Sequence, residues 1–162
     1  VVHSGVTAEK SSAVKAEFNA RRAAGARALE RLGLRSFHEA TALDAAGLEG
    51  EEARAFEHVT GEGRRVCEAV EALRAADATC FGRLLLESHA SLRDLLRVST
   101  PALDRVVEDA MTSGALGARL TGAGFGGCAI VLCRDSDRER VRSSMSPRLV
   151  IDAEASAGAL FA

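Results

Sequence analysis

The chain has 162 residues, of which 47% are hydrophobic and 27% charged, with a formal net charge of -2. That length suits one hydrophobic core, and the charge balance carries no basic excess for gripping a nucleic-acid backbone. No apolar run reaches the ~20 residues that cross a bilayer, and the opening VVHSGVTAEK lacks a signal-peptide core, so the expectation is one cytoplasmic domain over residues 1–162, with no nucleic-acid or membrane partner.

In chain order, VVHSGV reads as the tail of a strand. From about Thr7 to Leu32, apolar positions recur at helical spacing through Val14, Phe18, the Arg21 stem, Gly25, Ala28, Leu29 and Leu32, and Gly33 supplies a stop. Ser36 to Gly50 alternates short apolar and acidic pieces, a connector holding no more than short helical turns. Glu51 to Ala75 aligns Phe56, Val59, Gly63, Val66, Cys67, Val70 and Leu73 on one face. Asp77 to Leu96 does the same with Phe81, Leu84, Leu85, Ser88, Leu92 and Leu96, so the two helices form a hairpin around Asp77.

Thr100 and Pro101 start the next helix, because the hydroxyl caps free amides and a proline in the first turn loses no hydrogen bond. Gly114 stops it, with Leu103, Val106, Val107, Ala110 and Met111 facing the core. The period then changes: GARLT is short, CAIVLC is an apolar run of strand length, Asp135 to Met145 is helix-like, and Leu149 to Ile151 is a further strand candidate. The expected class is α+β, with helices packed on one face of a small antiparallel sheet.

Cys67, Cys80, Cys128 and Cys133 form neither a C-x-x-C pair nor a zinc spacing and read as reduced, mostly buried thiols. His89 follows Leu85 by four residues and reads as a hydrogen-bonded packing histidine rather than a general base. His3, His38 and His58 are scattered with no i,i+4 pair, so no metal site is expected within the chain. Arg21 and Arg22 could reach an anionic ligand, but arginines on a long helix more often serve as ion-pair partners or apolar stems, the reading favoured here.

The densest signal is GARLTGAGFGGCAIVLC, Gly117 to Cys133, where Gly122, Gly124, Gly126 and Gly127 crowd together. Each glycine adds to the entropy lost on folding, so such a cluster belongs where backbone turns with positive φ, or where it approaches another group closely and offers amides to phosphate. Gly122, Gly124 and Gly127 satisfy G-x-G-x-x-G, but the segment opens a strand at Cys128 rather than a helix, which excludes the dinucleotide fingerprint. It is not a Walker loop either, since no Gly-Lys-Ser/Thr follows and no lysine lies beyond Lys15. A tight glycine-packed connection and a ligand-facing loop both remain open on spacing alone.

GARLTGAGFGGCAIVL resembles the third motif of the galactokinases, within the GHMP kinase superfamily, departing from it mainly by Leu120 for Met and Ala123 for Gly. The resemblance extends through Phe81 to Asp94, Val98 to Ala110, Ala16 to Ala23 and the tail ASAGA, Ala155 to Ala159. It implies the superfamily's C-terminal domain fold and ATP-dependent transfer of a γ-phosphoryl group to the anomeric hydroxyl of galactose, with Mg2+ neutralising charge. In that family the sugar signature, the serine-rich ATP loop and the catalytic aspartate lie upstream of the matched region. No catalytic residue or metal ligand is therefore carried over, and the chain alone is expected to be inactive. Its expected partners are ATP, a small sugar and the upstream lobe of the same protein.

What the resemblance does carry over is Gly122, Ala123, Gly124, Phe125, Gly126 and Gly127 as the loop bordering the phosphate site, with Arg119 and Thr121 shaping its entry. Phe18 stands where the family usually has a sugar-bordering tyrosine, so the ring is kept and a hydroxyl is lost. Leu95 and Leu96 replace an acidic and an aromatic residue, which would make that turn greasier. The alternatives are a GHMP kinase for another sugar, a non-catalytic sugar-binding regulator of the same family, and a free-standing helical interaction module.

Overall fold

The computed structural model describes residues 1–7, 12–41 and 44–154. The ASAGA tail lies outside them, as do residues 8–11 of the expected first helix. In order the elements are β1 (Val2–His3), α1 (Ser12–Leu32), α2 (Gly50–Arg74), α3 (Ala78–Asp94), α4 (Pro101–Thr112), β2 (Gly117–Thr121), β3 (Cys128–Leu132) and α5 (Arg138–Ser144). Single 3-10 turns at Phe37–Glu39 and Asp44–Gly47 occupy the connector, and a third, Asp135–Asp137, leads into α5.

The class is α+β, as expected. Among the described residues, three antiparallel strands in the order β1-β3-β2 form the sheet. Alternation along the strands sends Val2, Ala118, Leu120 and Ala129 into one core with Leu103, Val106, Val107 and Ala110 of α4, with Val141 of α5 and with Met145 just after it. The opposite face carries Arg119, Thr121 and the half-exposed Ile130. Residues 149–151 form no full strand; Val150 makes an isolated antiparallel bridge to Val2, and Leu149 and Ile151 point into solvent.

α3 runs along the outer edge of β2. An alanine Cβ built on Gly82 would lie 2.2 Å from the Leu116 carbonyl oxygen, and one built on Gly117 would lie 2.1 Å from the Gly82 oxygen, so the two backbones touch. From Gly82 to His89 a helix rises about 10 Å, as does a strand from Gly117 to Leu120. The matched rise lets α3 meet β2 again at its far end, where the Leu120 N–H donates to His89 Nδ1 at 3.3 Å.

A second cluster joins α1 and α2 through Ala28, Leu48 and Phe56, with Phe37 stacked obliquely on Phe56 at 5.9 Å. Here the expected helix faces need correction. Phe18 is 39% exposed, and on α2 Val66, Val70 and Leu73 are exposed while Gly61 and Ala72 are buried. The packed face of this half of α2 runs through His58, Gly61, Glu62, Arg65 and Ala72, small and polar residues among which His58 and Glu62 find partners on α3 and β2 and Arg65 pairs with Glu62. Apolarity alone therefore selected a face turned away from the true one. Leu73→Ser should shift stability by no more than about 0.5 kcal/mol, whereas Phe56→Ala should cost about 3–5 kcal/mol, as read from denaturant midpoints.

The cysteines are free, as expected, but not buried: Cys67 is exposed and the other three are half-buried. No helix among the described residues is long and apolar enough to cross a membrane.

Candidate functional site

The loop of Gly122 to Gly127 joins β2 to β3, and its backbone explains its composition. Gly122, Gly124, Gly126 and Gly127 all have positive φ, and so does Phe125 between them, at 59°. Gly124 is pressed against the link between α3 and α4, where an added Cβ would sit 2.3 Å from the Val98 carbonyl oxygen.

Three anchors fix the loop. Phe125 N–H donates to Val98 O at 2.7 Å, Gly127 N–H donates to Val6 O at 2.8 Å, and Gly127 O accepts from Ser4 N–H at 2.8 Å. Gly124 and Gly126 are buried, and Gly122 and Ala123 form an exposed tip. The amides of Gly122, Ala123 and Gly124 meet no backbone acceptor among the described residues. Fixed amides of this kind can solvate an anion without reorganising.

Arg21 joins α1 to this region. Its guanidinium lies 5.4 Å from the centre of the Phe125 ring, and it donates to the Leu96 and Arg97 carbonyl oxygens and pairs with Glu17. Those contacts give Arg21 the structural role favoured from sequence; Arg22 is exposed. Phe18 sits one helical turn before Arg21, on an exposed stretch of α1. Leu96 is half-buried and packs against the main core, so the leucine pair does not simply grease the surface.

Arg119 is held by its own strand and by α2: Nε donates to Leu120 O at 3.1 Å and Nη1 lies 3.5 Å from Glu62 Oε2. Burial pushes the Glu62 carboxyl up, but hydrogen bonds from Arg65 and Ser88 and the charges of Arg65 and Arg119 outweigh it and hold its pKa below the usual value. Thr121 ends β2, exposed beside the tip. His89 is hydrogen-bonded and buried, as read from sequence, and burial lowers its pKa against the opposing pull of Asp104.

Val98, Ser4 and Val6, which hold the loop, escaped the sequence reading. They act through backbone atoms, and no side-chain pattern announces a carbonyl. Among the described residues no three His, Cys, Asp or Glu side chains come together as a cation site. A surface depression of about 680 Å3 lies at the α2–α3 hairpin beside Val66, Val70 and Cys80 and includes no residue of the glycine loop.

The family model described as "GHMP kinases C terminal" matches residues 69–151, from the end of α2 through β2, β3 and α5. The galactokinase of Streptomyces coelicolor is 40% identical over 158 residues, 94% of this chain and 40% of that protein. The Homo sapiens galactokinase is 51% identical over 84 residues, 51% of this chain and 21% of that protein. The crystal structure of Lactococcus lactis galactokinase complexed with galactose superimposes with a TM-score of 0.77 at 30% identity, over 89% of this chain and 39% of that one. The chain thus spans about two fifths of the length of the S. coelicolor relative.

Proposed function

The chain belongs to the GHMP kinase C-terminal family, and we propose that it forms one lobe of a galactokinase-like sugar kinase, closing over ATP and a sugar bound with an upstream lobe. The observation that carries this reading is the glycine loop: a backbone held by three hydrogen bonds, with a tip whose amides meet no backbone acceptor among the described residues, on a chain of this family. Such a loop would face the phosphates, with Gly122, Ala123 and Gly124 as donors and Phe125 to Gly127 as its foundation. Arg119 and Thr121 would act behind the tip through β2.

In the family's reaction the γ-phosphoryl group passes from ATP to the anomeric hydroxyl of the sugar, and catalysis is mostly positioning and charge stabilisation. The amide donors fit that demand. The described residues offer no carboxylate cluster for Mg2+, so in this reading the ion is held by the nucleotide and by the upstream lobe. The same logic makes the chain inactive alone, because it would supply phosphate contacts without a catalytic base.

The test is ATP-dependent phosphorylation of galactose and a panel of related sugars by the longer protein, with this chain assayed beside it. Turnover only by the longer protein supports the reading and names the sugar. Absence of turnover by both sinks it in favour of a sugar-binding regulator.

Phe18 favours a second reading in which the sugar is not galactose. It stands on the α1 face that reaches the loop through Arg21, and it lacks the hydroxyl the family usually presents. One hydrogen bond to a sugar hydroxyl is worth tenfold or more in discrimination. In the longer protein, Phe18→Tyr should raise kcat/KM for galactose over the preferred sugar by about tenfold. An unchanged ratio would place Phe18 outside the sugar's reach.

A further inference from the structure

Beside the loop lies a buried hydrogen-bonded chain that the reading above does not use. His89 is 3% exposed on α3. Its Nδ1 accepts the Leu120 N–H at 3.3 Å. A nitrogen that accepts must be bare, so the proton resides on Nε2, which donates to Asp104 Oδ1 at 3.1 Å. The Ser99 hydroxyl donates to the same carboxylate oxygen. Ser99 follows Val98, whose carbonyl takes the Phe125 N–H at 2.7 Å. The strand just before the glycine loop and the centre of that loop are therefore both tied to residues 98–104, one through the imidazole and one directly.

We propose that His89 is a positioning residue for the glycine loop, setting the distance between the end of β2 and the Val98 carbonyl that holds Phe125. Its consequence for ATP rests on the phosphate-facing reading of the loop; its consequence for loop geometry does not.

The ring can do this only while neutral. Protonation would place an Nδ1–H against the Leu120 N–H, two donors face to face. The charged groups around it are Asp104 on α4, Arg93 and Asp94 on its own helix and Arg119 on β2; burial, Arg93 and Arg119 disfavour the imidazolium, and Asp104 and Asp94 favour it. With the folded pKa below the unfolded one, the anchor is intact above the ordinary histidine value. Its contribution to stability shrinks as pH falls below that value, and the anchor itself is lost as pH falls through the lowered folded pKa, where the folded ring takes its proton.

The experiment is nitrogen-15 NMR of this chain and two variants, His89→Gln, which accepts and donates but cannot titrate, and His89→Leu, which does neither. The readouts are the ring tautomer and the amide protection of Leu120 and Phe125, corrected for the intrinsic pH dependence of exchange, between about pH 5 and pH 8. We expect a bare Nδ1 in the parent chain and a joint loss of protection at Leu120 and Phe125 on acidification. His89→Gln should keep the protection and flatten its pH dependence. His89→Leu should lower protection at both amides by about tenfold, a loss of one hydrogen bond's worth, with α2 unchanged.

A proton on Nδ1, or a pH dependence that survives in His89→Gln, overturns the proposal. So does a His89→Leu effect confined to Leu120. If His89→Leu does not fold, the tautomer and the glutamine variant still decide. In the longer protein, His89→Gln should preserve KM for ATP and His89→Leu should raise it. The NMR result without the KM change would leave the positioning role standing and overturn the phosphate-facing reading.

Discussion

Gly82→Ala should destabilise the chain by about 2–4 kcal/mol, the upper range for forcing volume into a packed site. The new methyl would lie 2.2 Å from the Leu116 oxygen and 2.5 Å from its carbonyl carbon. These are backbone atoms in the approach to β2, so no rotamer change relieves the contact, and α3 must lift from the strand. Lifting it also stretches the His89–Leu120 hydrogen bond farther along the same seam. The control is Gly63→Ala on α2, where the added Cβ meets nothing within 4 Å and the residue is exposed. There alanine's better helix propensity should add up to about 1 kcal/mol. Urea midpoints at unchanged slope measure both; a stabilised Gly82→Ala would refute the backbone contact.

Gly124→Ala should do less to global stability and more to the loop. Its φ of +83° is one that L side chains rarely adopt, and its Cβ would stand 2.3 Å from Val98 O and 2.7 Å from Val98 Cβ. The left-handed conformation costs about 1–2 kcal/mol, and the clash pushes the loop off the carbonyl that Phe125 needs. Gly122→Ala isolates the first effect, because φ is +87° but the space around it is open. In the longer protein, Gly124→Ala should raise KM for ATP by tenfold or more, and Gly122→Ala by clearly less. Equal effects would show that backbone conformation alone, and not the seat on Val98, sets the loop.

Where the governing chemistry is local, the sequence was easy to read. Thr100 caps α4 through the Leu103 N–H, Pro101 opens it, and Ala115 N–H returns to Ala110 O just past Gly114. Each of those signals sits within a few residues of what it controls. The hairpin at Asp77 is legible for the same reason, since Asp77 accepts the Cys80 N–H.

The failures occurred where distant partners decide. On α2 the buried stripe is chosen by Ser88, Ser91 and Arg119, which make Glu62 and His58 worth burying and leave Val66, Val70 and Leu73 outside. Helical periodicity records which residues are apolar, not which polar ones will find partners. The candidate site divides in the same way. Its glycines are visible because positive φ demands them, but the tie between His89 and Leu120 spans 31 positions and leaves no local trace.

The edges of the sheet have a further consequence. Along β2, α3 covers the outward backbone and His89 takes the Leu120 N–H; along β1, residues 149–151 exchange hydrogen bonds with Val1 and His3. Among the described residues, the outward backbone of β1 and β2 is thus occupied rather than free to extend the ladder onto another chain. Crowding of this protein would therefore bring side chains together, at the bare flank of α2, before it recruited backbone into fibrillar order.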